Sequence, residues 1–187
     1  MPLVVTLSGS PQTPSRTVAL ADHVGAALVR RGLDVEGVSV RDLEPADLFH
    51  ARVGSPGLRA ALDLIARADA VVVATPVYKA SYTGLIKAFL DLLPQFGLAG
   101  KVVLPLATGG TLAHVLAVDY ALRPVLASLG ALHVTTGLFV LDKTIAVTDA
   151  GLIVDAQVQE RLDAVVDEFV AAVDRVTPIA AAVRAVT

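Results

Sequence analysis

The chain has 187 residues, 55% of them apolar and 18% charged, with a net charge of −3 and no cysteine. That is one domain's worth of chain with enough apolar surface for a core, which excludes a disordered or charged coiled-coil protein. Mild acidity argues against a broad nucleic-acid surface, and the missing thiols remove disulfides, thiolate metal sites and redox cysteines. The apolar excess is read as strands buried on both faces plus an apolar oligomer surface.

The start, MPLVVTLSGSP, has no basic leader, so a cytoplasmic protein is expected. Residues 3–7 (LVVTL) form a β-branched strand closed by Ser8, Gly9, Ser10 and Pro11. Over 15–31, Val18, Leu20, Ala21, Val24 and Leu28 recur at helical spacing, and Gly32 ends that helix. Residues 34–40 alternate and predict a second strand near an edge; 41–54 are polar and irregular. A helix over 58–67 leads to Ala70–Ala74, the continuous apolar run of a central parallel strand. The stretch around Val71–Ala74 is among the longest apolar runs, far short of the about 18 residues needed to span a membrane. A helix over 84–93 stops before Pro94, and a strand over 102–107 contains Pro105.

The next helix, 112–129, contains Pro124. Proline removes the N–H that would bond the Tyr120 carbonyl, so either a kink or π-bulge forms beside Tyr120 or the helix ends there and restarts. A fifth strand over 132–140, with a break at Gly137, and an amphipathic helix over 155–176 complete a domain spanning 1–177. Residues 178–187 are an Ala/Val-rich tail, either a frayed end or an arm on a partner subunit. Alternating strands and helices predict an α/β three-layer sandwich, flavodoxin-like, with a five-stranded parallel sheet in the order 2-1-3-4-5.

Such sheets bind ligands at the carboxyl ends of their strands. The loop after strand one, Ser8 to Thr17, carries hydroxyls, glycine, one cation (Arg16) and a helix N-terminus, parts suited to a terminal phosphate. It is neither a Walker A loop nor a G-x-G-x-x-G fingerprint; equally, Ser15 or Thr13 could serve only as an N-cap. The loop after strand three, Thr75 to Gly84, concentrates Tyr78, Lys79 and Tyr82 in a chain with 4% aromatics. It suits a planar heterocycle, or a rigid turn in which Pro76 stops the strand and Thr83 caps the next helix. The loop after strand four holds Gly109 and Gly110, which permit close backbone approach to a ligand or form a left-handed turn. The four histidines lack an H-E-x-x-H spacing or thiolate partners, so no metal site is expected. No G-x-S-x-G nucleophile elbow is present.

Three blocks, GSPQTPSRT at 9–17, TPVYKASYTGLIKAFLDLLP at 75–94 and GKVVLPLATGGTLAHVLAVDYALRPVL at 100–126, resemble the NAD(P)H-dependent FMN reductases. Among these the chain is most similar to the FMN reductases of two-component alkanesulfonate monooxygenase systems. The resemblance spans roughly residues 3–145. It implies reduction of FMN by NADPH or NADH, with the flavin a substrate or loosely bound. It also implies release of reduced flavin to a flavin-dependent monooxygenase, and a homodimer or homotetramer. Residue by residue, it implies that Ser10, Ser15, Arg16 and Thr17 hold the FMN phosphate. Pro76, Val77, Tyr78 and Lys79 would line the isoalloxazine, with Thr108, Gly109, Gly110 and His114 closing the other side. Tyr120 resembles the residue that the sulfonate-linked members carry in a π-helix at a tetramer interface. Gln12 departs from the arginine of many relatives, which leaves more of the phosphate charge to Arg16. No side chain is expected to act as acid or base, because hydride transfer between two flat rings depends on positioning. Alternative readings are a reductase with tightly bound FMN acting on quinones or other acceptors, and a flavodoxin-like electron carrier.

Overall fold

Strands rich in Val, Leu and Ala lie parallel because helices cover both of their faces. The computed structural model describes the backbone of residues 1–184 and side chains through Val176. Strands β1 (Leu3–Ser8), β2 (Asp34–Ser39), β3 (Ala70–Pro76) and β4 (Val102–Gly109) run in the order β2-β1-β3-β4. The fifth position is filled by two short strands, β5 (His133–Val134) and β6 (Leu138–Leu141), both parallel to β4. The expected order is therefore found, but with the fifth strand in two pieces and six strands in all. Every residue of β3 and β4 is buried, which explains their mainly apolar sequences.

Helices α1 (Arg16–Arg30) and α6 (Ala156–Arg184) pack on one face, around Val4, Val72, Leu104 and Phe169. Helices α3 (Pro56–Arg67), α4 (Gly84–Leu90) and α5 (Arg123–Ser128) cover the other, around Val5, Val71, Val103 and Phe89. Among the described residues no helix is long and apolar enough to cross a membrane.

Several boundaries differ from the sequence expectation. Residues 41–54 are not irregular throughout: Pro45–Phe49 form a short helix, α2, with the Glu44 side chain accepting from the Ala46 N–H at its start. Helix α4 ends at Leu90 rather than 93. The final helix runs on to Arg184, through the segment set apart as a tail; residues 185–187 lie outside the described part. A hairpin that the sequence did not announce, β7 (Ile145–Thr148) with β8 (Gly151–Val154), packs along α1.

The helix expected over 112–129 is three segments. A 3-10 turn at Leu112–His114 is followed by a π-helix at Ala117–Leu122, and then by α5 with Pro124 in its first turn. The wider π turn accommodates the carbonyl that Pro124 leaves without an N–H. The π-helix and the break in the fifth strand belong together. A Cβ on Gly137 would lie 2.5 Å from Val118 Cγ1, so only glycine lets the π-helix approach the break. Arg123 donates to the carbonyls of Val134 (2.9 Å) and Thr135 (3.1 Å) at that break.

Candidate functional site

Parallel register aligns the strand ends: Ser8 lies beside Ala74, Pro76 beside Thr108, and Gly109 beside Leu141. The three unusual loops therefore leave the sheet at one edge. Thr83 ties two of them together. Its hydroxyl donates to the Gly9 carbonyl (2.6 Å) and accepts from the Ile86 N–H (3.2 Å), while its own N–H donates to Thr75 Oγ1 (3.1 Å). Thr83 is thus the cap of α4, and also the anchor of the first loop. Gly9 passes so close to α4 that a Cβ there would sit 2.4 Å from Ile86 Cβ.

Ser15 caps α1, its Oγ accepting from the Val18 N–H at 3.2 Å. As acceptor in that bond the hydroxyl keeps its proton free to donate. Capping and anion binding are therefore compatible here. Thr17 Oγ1 lies 2.7 Å from Thr108 Oγ1, both buried, so one hydroxyl of the pair donates inward and the other proton remains available. The first N–H groups of α1 lack intrahelical acceptors, as in any helix. Arg16 is exposed and has no hydrogen bond or ion pair among the described residues. Arg41 donates to the Gln12 carbonyl and steadies the loop from the side of β2. Loss of solvation holds the Asp22 carboxyl on α1 above its ordinary value, against the lowering pull of the Arg41 charge.

On the facing loops, the Val77 N–H donates to the Thr108 carbonyl at 2.8 Å. Tyr78 and Ser81 exchange backbone hydrogen bonds of 2.9 and 3.1 Å across a two-residue turn in which Lys79 and Ala80 both have positive φ, 50° and 64°. Neither Gly109 nor Gly110 has a positive φ, so the pair is not a left-handed turn. A Cβ on Gly109 would lie 2.8 Å from Phe139 Cζ, whereas one on Gly110 would meet nothing within 4 Å. The protein's own packing therefore gives no reason for Gly110.

These groups surround one cleft of about 90 Å³. Its lining includes Ser10, Ser15, Arg16 and Thr17 from the first loop. Pro76, Val77 and Tyr78 come from the second, and Thr108, Gly109 and Gly110 from the third. Lys79 and His114 are not among the lining residues, and Tyr120 is 78% exposed on the π-helix. Gln12, Pro14 and Asp142 are added to the lining. The first two stand inside the loop already singled out. Asp142 carries no sequence signal and arrives through the register of β6. A larger groove of about 410 Å³ runs between α3 and the turn after α4, but it is mainly apolar and remote from the converging strand ends.

The sequence matches the NADPH-dependent FMN reductase family over residues 2–146. The chain belongs to this family. It is 45% identical to "FMN reductase (NADPH)" of Escherichia coli (strain K12) over 174 residues, 92% of this chain and 90% of that protein. It is also 45% identical to "FMN reductase (NADPH)" of Pseudomonas putida KT2440, covering 95% and 92%. A solved apo structure of the NADH:FMN oxidoreductase EmoB superposes with a TM-score of 0.84 at 45% identity, covering 90% of this chain and 88% of that one. As an FMN reductase the chain is an oxidoreductase whose reagents are FMN and NADPH or NADH.

Proposed function

We propose that this FMN reductase treats FMN as an exchanging substrate. On this reading it reduces FMN with NADPH or NADH in the cytoplasm and releases the product to a separate flavin-dependent monooxygenase of the sulfonate-cleaving kind. The observation that carries the proposal is the small size of the cleft. Its volume of about 90 Å³ is well below the roughly 300–1,000 Å³ of pockets that bury a ligand. Tyr78, its only aromatic lining residue, is 41% exposed. The likeness of the three loops to the reductases of two-component alkanesulfonate systems supports the destination of the product.

The donor set fits FMN. Ser10, Ser15, the Thr17–Thr108 pair and the first N–H groups of α1 offer hydrogen bonds to a phosphate, and Arg16 offers the charge. The bare backbone at Gly110 and the Pro76–Tyr78 wall suit a flat ring. When bound, FMN supplies the ring that accepts hydride from the nicotinamide. The chain's own work is orientation: Thr83 fixes the loops, Arg41 holds Gln12, and Gly110 leaves one side open. No side chain is assigned a proton-transfer role.

Retention of flavin tests the exchanging reading. Protein saturated with FMN and passed through a desalting column should emerge without visible flavin absorbance. Stoichiometric FMN in the protein fraction would overturn it in favour of a bound prosthetic group.

A further inference from the structure

Asp142 is the single carboxylate in the lining of the cleft. It follows β6 directly, one residue past Leu141, the register partner of Gly109. Its position is fixed on both sides. Val140 and Ile145 are 1% and 4% exposed, and Thr144 Oγ1 donates to the Leu141 carbonyl at 2.7 Å. The half-buried carboxylate makes no hydrogen bond or ion pair among the described residues, with Arg16 or with any other side chain. It also caps no helix, since the short 3-10 turn at Asp142–Thr144 has no side-chain cap. Its carboxylate therefore has no hydrogen-bond or ion-pair partner among the described residues.

We propose that Asp142 sets how readily the flavin leaves, by repelling the phosphate that the rest of the cleft attracts. The inference rests on the reading of this cleft as the FMN phosphate site. One cation, Arg16, and one anion, Asp142, share the lining, so their charges offset and the phosphate is held chiefly by hydroxyl and backbone donors. Charges in a cleft walled by protein act on each other more strongly than in bulk water. A reductase that must release its flavin at each turnover gains from a ground state that is not held too tightly. Asp142 is accordingly a specificity-determining residue that acts on the phosphorylated end of the ligand.

The test is a flavin-fluorescence titration of wild type, Asp142→Asn and Asp142→Ser with FMN and with riboflavin, which lacks the phosphate, at low and high salt. At low salt, both variants should bind FMN about three- to tenfold more tightly and release it correspondingly more slowly in stopped flow. Riboflavin affinity should stay within about twofold, and the FMN difference should shrink at high salt as the charges are screened. FMN affinity that is unchanged or weaker in the variants would overturn the proposal, the weaker result meaning that the carboxylate accepts hydrogen bonds from the ligand. Equal tightening for riboflavin would overturn it too, because the carboxylate would then not act on the phosphate. Failure of the underlying reading has a different signature: wild type would bind FMN no better than riboflavin, Arg16→Ala would change neither affinity, and both claims would fall.

Discussion

Arg16 stands in the first turn of α1 without a partner among the described residues, at the point where the helix presents its free N–H groups. On the proposed reading this cation meets the FMN phosphate. Arg16→Ala should weaken FMN binding by about 1–3 kcal/mol, the range of a charge-assisted hydrogen bond, with riboflavin affinity unaffected. Equilibrium titration with the two flavins checks this, and unchanged FMN affinity would remove the assignment. The sequence pointed to it because hydroxyls, glycine and one cation crowd a single loop after a strand. Thr83 was legible only in part. Its place before a helical stretch signals a cap, but its hydrogen bond to the Gly9 carbonyl joins residues 74 positions apart and follows from the parallel register. Asp142 was not legible, since LFVLDKT matches no motif and a single Asp after a strand signals only a turn.

At the scale of elements, two local conformations bear on the site. The Tyr78–Ser81 turn holds Lys79 and Ala80 at positive φ without the glycine or asparagine that such two-residue turns favour. No sequence rule for turns flags it, so the sequence left the loop between a wall for a planar ring and a rigid proline turn. Ala80→Gly should relieve a left-handed strain of about 1 kcal/mol and raise Tm by roughly 2–4 °C, measured by thermal unfolding. The π-helix, by contrast, was among the readings that Pro124 left open, because a missing N–H is a property of the residue itself and demands a kink, a π-bulge or a break. Its contact with the break in the fifth strand was not readable. Gly137→Ala would drive a Cβ to 2.5 Å from Val118 Cγ1 and 3.0 Å from Pro105 Cγ. We expect a loss of about 1–3 kcal/mol in urea unfolding.

For the molecule as a whole, strand and helix periodicities alternate cleanly enough to fix the sheet order, and burial on both faces accounts for β3 and β4. The break of the fifth strand at Gly137 was anticipated, whereas two features set by short segments escaped: the β7–β8 hairpin and α2. The π-helix region also bears on assembly. Leu112, Val115, Leu116 and Tyr120 are 63%, 43%, 58% and 78% exposed, an apolar run of the kind that a lone monomer seldom displays. This supports the homodimer or homotetramer that the family resemblance implies. Tyr120→Ala should change stability by less than about 0.5 kcal/mol, as expected for an exposed side chain. The same variant should shift the sedimentation distribution toward smaller species; an unchanged distribution would reduce Tyr120 to a surface residue.

The central claim is that FMN passes through this protein rather than residing in it. Its most direct test is the initial rate of NADPH oxidation by flavin-free protein as FMN is added, repeated with NADH. The account predicts a rate near zero without flavin that rises and saturates at FMN concentrations well above that of the enzyme. A rate that is complete once FMN equals the enzyme in concentration, and then responds only to an added acceptor such as a quinone, would contradict it.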